Sequence, residues 1–328
     1  MKSSTKHKPM IVYNILTNSL HIGLIYALLG IGVFIAYRVL NIADLGAEGA
    51  FPLGGAVTVL MIALGVPPAV AVLIAFIAGG IMGLLTSVLH TKLRIPSLLA
   101  GIITMVICIP LSQLLNGITN SLKSYSQIGD FVGVVRLPSN STTIFTFFRG
   151  LLGEWGIILT SFFVVGLIIA ALYWFFGTEL GITIRATGKN KIMSRAQGIN
   201  TDSRVIMGLV ISNAIVAMSG SLFAQFMRNS DSTFGQGTIV IALASVLLGE
   251  AIMLYGKPNF AISLLSVLVG SFAYQLVVNL AMRVLEDNGY LKLVQALLFI
   301  LILCIPLFKK SFKNLRKKLK ARRAESHA

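Results

Sequence analysis

The stretch IADLGAEGAF, Ile42 to Phe51, sets two carboxylates, Asp44 and Glu48, four residues apart between two long apolar runs. The 328-residue chain has eleven acidic residues in all, so placing two of them here needs a reason. Gly46, Gly49, Pro52, Gly54 and Gly55 interrupt the apolar sequence around them as well. A membrane helix loosened in this way survives only where its backbone is buried in protein or lines a cavity. The stretch therefore predicts a broken or re-entrant segment near 41–66, with a helix starting near Pro52 and both acids at or before its positive end.

The rest of the chain supplies the setting. Hydrophobic residues make up 56% and charged residues 12%, against roughly 25% charged in a soluble domain. Apolar runs long enough to cross a bilayer as a helix recur at 17–40, 51–66, 69–90, 95–115, 155–176, 204–226, 237–254, 259–281 and 291–308. The alternating short strands of a transmembrane barrel are missing. The predicted fold class is an all-α polytopic membrane protein with about 8–10 transmembrane helices. It forms a single membrane domain over 1–308, followed by a basic tail over 309–328.

The net charge of +16 is concentrated at helix flanks, which argues against nucleic acid as a partner. Nine of the 27 basic residues lie between Lys309 and Arg323, and five more between Arg185 and Arg204. Such clusters mark the cytoplasmic side of a membrane, and the tail also suits anionic lipid headgroups. With the C-terminus cytoplasmic, the basic loop 178–203 falls inside and the polar, turn-rich loop 116–154 outside. Nine full crossings then leave Lys2, Lys6 and Lys8 outside, against the same rule. The apolar stretch after these lysines has no small-residue cleavage site and runs to spanning length, so it reads as a retained first helix. The interrupted segment near 41–66 is the place to look for the miscounted crossing.

No ligand cluster or nucleophilic triad can be built from the scattered His7, His21, His90 and His327. Cys108 and Cys304 lie inside apolar runs with no metal-ligand spacing and read as packing residues. A phosphate-binding loop is also missing, because Gly188-Lys189 lacks both the upstream glycine and the following Ser or Thr. Catalytic residues, metal ligands and a bound cofactor are therefore not expected in this chain.

The loop TELGITIRATGKNKIMSRAQGINTDSRV, Thr178 to Val205, has helical periodicity and mixes Ile and Met with basic residues. Physically it is either a helix lying on the bilayer surface or a docking element for a soluble partner. Its G-x-x-x-R-A-x-G-x-N pattern followed by G-I-N resembles the coupling loop of ATP-binding-cassette (ABC) importer permeases. More narrowly, it is similar to the branched-chain amino acid and simple-sugar permease family. The matching residues are Gly181, Arg185, Ala186, Gly188, Asn190, Arg195, Gly198, Ile199 and Asn200. The resemblance runs through Ser219-Gly220, the stretch IVIALASVLLGE (Ile239 to Glu250) and the region of Asp44, and covers about residues 15 to 308. Two places depart from it: relatives carry a glycine pair at Gly249-Glu250 and a Gly-rich turn at Tyr255-Gly256-Lys257-Pro258. The ADLGAEGAFPLGG form looks closest to a subgroup associated with tryptophan or tyrosine uptake.

The resemblance implies an importer subunit of a bacterial cytoplasmic membrane. ATP and magnesium would sit on a separate ABC ATPase dimer, a second permease subunit would complete a homodimer, and an extracytoplasmic binding protein would deliver cargo. The implied cargo is an aromatic or other hydrophobic amino acid, with branched-chain amino acids, a sugar or a nucleoside as the alternative. An ion-coupled secondary transporter is the reading from a different class, since broken helices with acids suit that too. Polar residues inside spans are the pathway candidates: Asp44, Glu48, Asn213, Gln225 and Gln275, with helix–helix hydrogen bonding as the plainer role of the amides. For the two acids the plainer role is to complement a helix dipole, and the sharper one is to meet the ammonium group of an amino acid. Gly79 and Gly83 form a G-x-x-x-G packing step. Glu250 ends a helix on the proposed ATPase side, either pairing with a basic loop residue or reaching water.

Overall fold

The first apolar run becomes helix α1, His7–Phe34, and it does not end in a normal cap. It widens into a π-helical turn, Ile35–Val39, where the Leu40 amide donates to the Ile35 carbonyl and the Ile42 amide to Ala36. Asn41 then takes φ +56°, a left-handed conformation that asparagine tolerates better than most side chains. This is the interruption expected from the sequence, and it lies at Leu40–Leu45. Helix α2, Gly46–Ala63, follows and runs unbroken through Pro52. It starts at Gly46, not near Pro52, so Asp44 precedes the helix and Glu48 sits in its first turn.

The computed structural model describes residues 7–123, 133–138, 141–146, 153–253, 259–285, 293–302 and 304. Lys2, Lys6, Asn140, the stretch Tyr255–Pro258, residues 286–292 and the tail 309–328 lie outside them. The remaining helices are α3 (Pro68–Thr91), α4 (Ser97–Lys123), α5 (Glu154–Gly177), α6 (Glu179–Lys189), α7 (Lys191–Ala196), α8 (Thr201–Met227), α9 (Thr238–Met253), α10 (Phe260–Leu285) and the shorter α11 (Leu293–Ile302). Among the described residues eight helices are long and apolar enough to cross a membrane. The fold is nearly all-α; the exception is an antiparallel pair, β1 (Val134–Arg136) with β2 (Asn229–Asp231).

Three of the spans form the centre. The best apolar windows of α1, α2 and α8 are 89%, 83% and 78% buried, while those of α3, α4 and α5 are 39% or less. The centre is therefore held by protein contacts, and the outer helices turn Leu73, Ile77, Val106, Phe163 and Trp174 outward, as lipid requires. Small residues close the central contacts. A β-carbon on Gly54 would stand 1.9 Å from the Ala217 carbonyl, and one on Gly220 would stand 1.9 Å from that of Phe51. Serine hydroxyls bridge helices in the same layer: Ser212 donates to Gly32, Ser219 to Ile25 and Ser271 to Gly23, each at 2.7–2.9 Å. Gly79 and Gly83 pack against Asn213–Ala217 and Leu209–Val210 of α8. Cys108 is buried and Cys304 half-buried.

The ends of the bundle differ. At one end the π-turn meets α6; at the other, Tyr13 packs on Trp155 with ring centroids 6.2 Å apart, and β1 pairs with β2. The expected loop 116–154 opens only after Lys123, because Asn116–Lys123 continues α4. Asn116 reaches back to accept this loop, donating to the Gly133 carbonyl at 2.7 Å. The interruption does not remove a crossing, since α2 is itself a span. The start of α1 lies at the end of the bundle opposite α6.

Candidate functional site

The loop between α5 and α8 folds as two short helices joined by tight corners. Thr178, Asn190 and Asn200 each stand just before a helix and accept from the amides of Gly181, Met193 and Ser203 at 3.4, 3.0 and 3.2 Å. These are N-caps, and they explain why Asn recurs at the joints. Gly181 makes the first corner possible, because a β-carbon there would stand 2.3 Å from the Phe176 Cα. Gly198 makes the last, at φ +79°, where the Ile199 amide donates to Ser194. Arg195 closes the corner by donating to Thr201 at 2.8 Å and to Asp202 at 3.1 Å.

The amphipathic pattern sorts by face. Ile184 is fully buried against the core, while Ile182, Ile192 and Met193 point outward, Ile192 at 83% exposure. Gly188 is the point where α6 presses on the π-turn: a β-carbon would stand 1.8 Å from the Val39 carbonyl. Arg185 does not face outward with the exposed apolar residues. Its guanidinium lies 5.1 Å over the Phe260 ring at the start of α10, a cation–π contact linking the loop to that helix. Beside it Arg38 and Glu250 form a bidentate ion pair, Nε to Oε1 at 2.7 Å and Nη2 to Oε2, joining the ends of α1 and α9. Glu250 thus pairs with a residue of the π-turn, outside the basic loop.

The interior candidates separate into two groups. Asp44 and Asn213 meet: Asn213 donates to Asp44 Oδ2 at 2.7 Å and to the Leu209 carbonyl at 3.1 Å, and the Gly46 amide donates to Asp44 Oδ1 at 2.8 Å. Asp44 therefore caps α2 from inside the protein. Glu48 reaches α9, accepting from the Gly237 amide at 3.1 Å, with the Ile239 amide a second backbone donor. Each acid satisfies the start of a helix that begins inside the bundle, where no water would do so.

Gln225 lies at the far end, accepting from the Ile144 amide at 3.0 Å, and lines a cavity of about 410 Å³ with His21, Thr143, Phe145 and Arg228. Gln275 is buried in α10 apart from the others, its Oε1 without a hydrogen-bond partner. Sequence reasoning missed the Arg38–Glu250 pair, the capping of α9 by Glu48, and the Thr86 hydroxyl near Asp44. Arg38 at a helix end was a visible signal; the others depend on contacts between distant helices.

The family profile described as "Branched-chain amino acid transport system / permease component" matches residues 15–304. The chain belongs to that permease family. It is 32% identical over 308 residues to a tyrosine transport system permease protein of Clostridioides difficile, covering 94% of this chain and 95% of that one. It is also 25% identical to the ribose import permease protein RbsC of Escherichia coli, over 91% and 87% of the two chains. A probable branched-chain amino acid permease, LivH of Methanocaldococcus jannaschii, is 26% identical over 68% of this chain and 69% of that one. In fold, the chain is similar to an ABC transporter described as of metal-chelate type, in an inward-facing conformation (TM-score 0.50, 16% identity, covering 94% and 91%). This permease is the membrane subunit of an ABC importer and a transport component.

Proposed function

We propose that this permease forms the translocation path for an aromatic amino acid, driven by ATP hydrolysis on a separate ATPase dimer. The observation that carries the cargo is the end-to-end likeness to the tyrosine permease, 32% over 94% of the chain. In this reading the α6–α7 end is cytoplasmic, as is the C-terminal tail, and the membrane is the bacterial cytoplasmic membrane. The ATPase docks on the exposed face of Ile182, Ile192 and Met193, and holds the ATP and magnesium that this chain does not bind. A second copy of the permease completes the path, and an external binding protein docks at the β1–β2 end.

Coupling then has a physical route. Movement of α6 reaches α1 through Gly188 on Val39, and α10 through Arg185 on Phe260, so ATPase closure can tilt both helices together. Reconstitution in vesicles tests the proposal. Uptake of labelled tyrosine or tryptophan is expected with the ATPase, binding protein and ATP, and not with an imposed proton or sodium gradient alone. Gradient-driven uptake by the isolated chain would overturn it in favour of a secondary transporter. The likeness to ribose and branched-chain permeases favours a second reading of the cargo. Competition by ribose or leucine, with none by tyrosine, would select it.

A further inference from the structure

Asp44 is buried, and among the described residues no basic side chain forms an ion pair with it. A carboxylate in such a place is costly unless its charge is compensated. The space beside it has an unusual lining. A point where a β-carbon of Gly46 would stand lies 2.9 Å from Asp44 Oδ1, 3.2 Å from Thr86 Oγ1 and 3.6 Å from Asn213 Oδ1. These oxygens come from three different elements and converge on the bare face of Gly46, where a β-carbon would crowd them.

All three present lone pairs. Asn213 is fully buried, and its amide nitrogen is committed to Asp44 and Leu209, so Oδ1 is fixed in orientation and has no hydrogen-bond partner. Thr104 donates to the Ala100 carbonyl at 3.1 Å, and Thr86 gives its proton to Thr104 at 2.7 Å. That leaves the Thr86 oxygen as an acceptor towards Asp44. A carboxylate, an amide oxygen and a hydroxyl oxygen that converge in the interior, with the neighbouring Gly46 N–H already spent on Asp44 Oδ1, are complementary to a cation. Hard oxygen donors of this kind, without His or Cys, suit a hard ion, and the single net negative charge calls for a monovalent one.

We propose that Asp44, Thr86 and Asn213 form a sodium-sized cation site at the start of α2. An ion seated slightly further from the backbone than the missing β-carbon comes within reach of all three oxygens. It neutralises Asp44 and supplies the partner that Asn213 Oδ1 lacks, locking the interrupted α1–α2 connection to α3 and α8. The site is independent of the cargo and of the ATPase.

The test is the melting temperature of the full-length protein in detergent, titrated with NaCl, KCl or choline chloride at constant ionic strength. Sodium is expected to give a saturable rise of about 3 °C, potassium a smaller one and choline none. Asp44→Asn is expected to abolish the sodium response. Thr86→Val, which keeps shape and loses the oxygen, is expected to weaken sodium affinity at least about tenfold. If Asp44→Asn does not fold, the ion selectivity of the parent and the Thr86→Val response decide the question. Equal responses to all three salts, or a sodium response unchanged in Thr86→Val, overturn the proposal. So does a rise in melting temperature on acidification with no ion selectivity, which assigns a proton to Asp44. A parent protein indifferent to every ion and to pH leaves water as the occupant and overturns it equally.

Discussion

Asp44 and Glu48 bond to Asn213 and Gly237, far along the chain, with Gly46 a nearer partner of Asp44, while Thr178, Asn190 and Asn200 find theirs three residues ahead. Both sets satisfy helix starts, in different solvents. Inside the bundle a free N–H has no water to turn to, so it must find a side chain, near in sequence as Gly46 finds Asp44 or distant as Gly237 finds Glu48. Asp44 and Glu48 therefore fasten helices together as well as cap them. At the α6–α7 end water is available and caps can be local. The short helices there are capped locally, and Ile182, Ile192 and Met193 stay exposed. One region is a weld and the other a socket, and they touch where Gly188 meets the Val39 carbonyl.

That junction is where the comparison breaks most severely. Gly188→Val places a branched side chain into the Val39 carbonyl, with backbone on both sides and no flexible neighbour to give way. The yield of folded protein is expected to fall at least about tenfold, measured by size-exclusion chromatography in detergent. Parental yield and uptake would mean that the two regions are not in fixed contact.

Asn213→Leu attacks the interior cap alone. The leucine fills the space but withdraws a donor from Asp44, leaving the buried carboxylate with the Gly46 amide. A loss of about 2–3 kcal/mol is expected, seen as a lower melting temperature of the whole protein. A loss no greater than that of an ordinary surface substitution would show that Asp44 is held by something other than Asn213.

How far these regions were legible in sequence follows from the same distinction. The spans could be read because a bilayer imposes length and composition on each one separately; the α6–α7 caps left a local trace, Asn next to the helix it starts, that a reading by periodicity alone did not use. The helix start at Gly46 was misplaced towards Pro52 because proline is favoured in a first turn. Here Pro52 is instead carried inside α2, which is buried on all sides and has its first turn fixed by Asp44. Both acids were recognised as belonging to a helix terminus, but nothing near Glu48 in sequence shows that the terminus it serves is that of α9. The pairing of Arg38 with Glu250 was hidden for the same reason. Contacts that depend on which helices become neighbours leave no local pattern.

Arg185→Glu tests the socket as a transmitter. The substitution removes the cation over Phe260 without entering the buried layer under α6. Substrate moved per ATP hydrolysed is expected to fall about tenfold, equivalent to about 1.4 kcal/mol of coupling. The melting temperature should stay close to that of the parent. An unchanged transport-to-hydrolysis ratio would remove Arg185 from the coupling route and leave Gly188 as its remaining link.

The smallest effect expected is that of Asn190→Ala. It deletes the side-chain acceptor for the Met193 amide at the start of α7, a change worth about 1 kcal/mol to the local helix. Because α7 is short and largely exposed, that loss should remain local. Hydrogen exchange at Met193 is expected to quicken about fivefold, while the global melting temperature, which Asn213→Leu lowers, stays put. Equal melting shifts in the two variants would mean that the caps at the surface are welded into the fold as firmly as Asp44, and the division between weld and socket would fail.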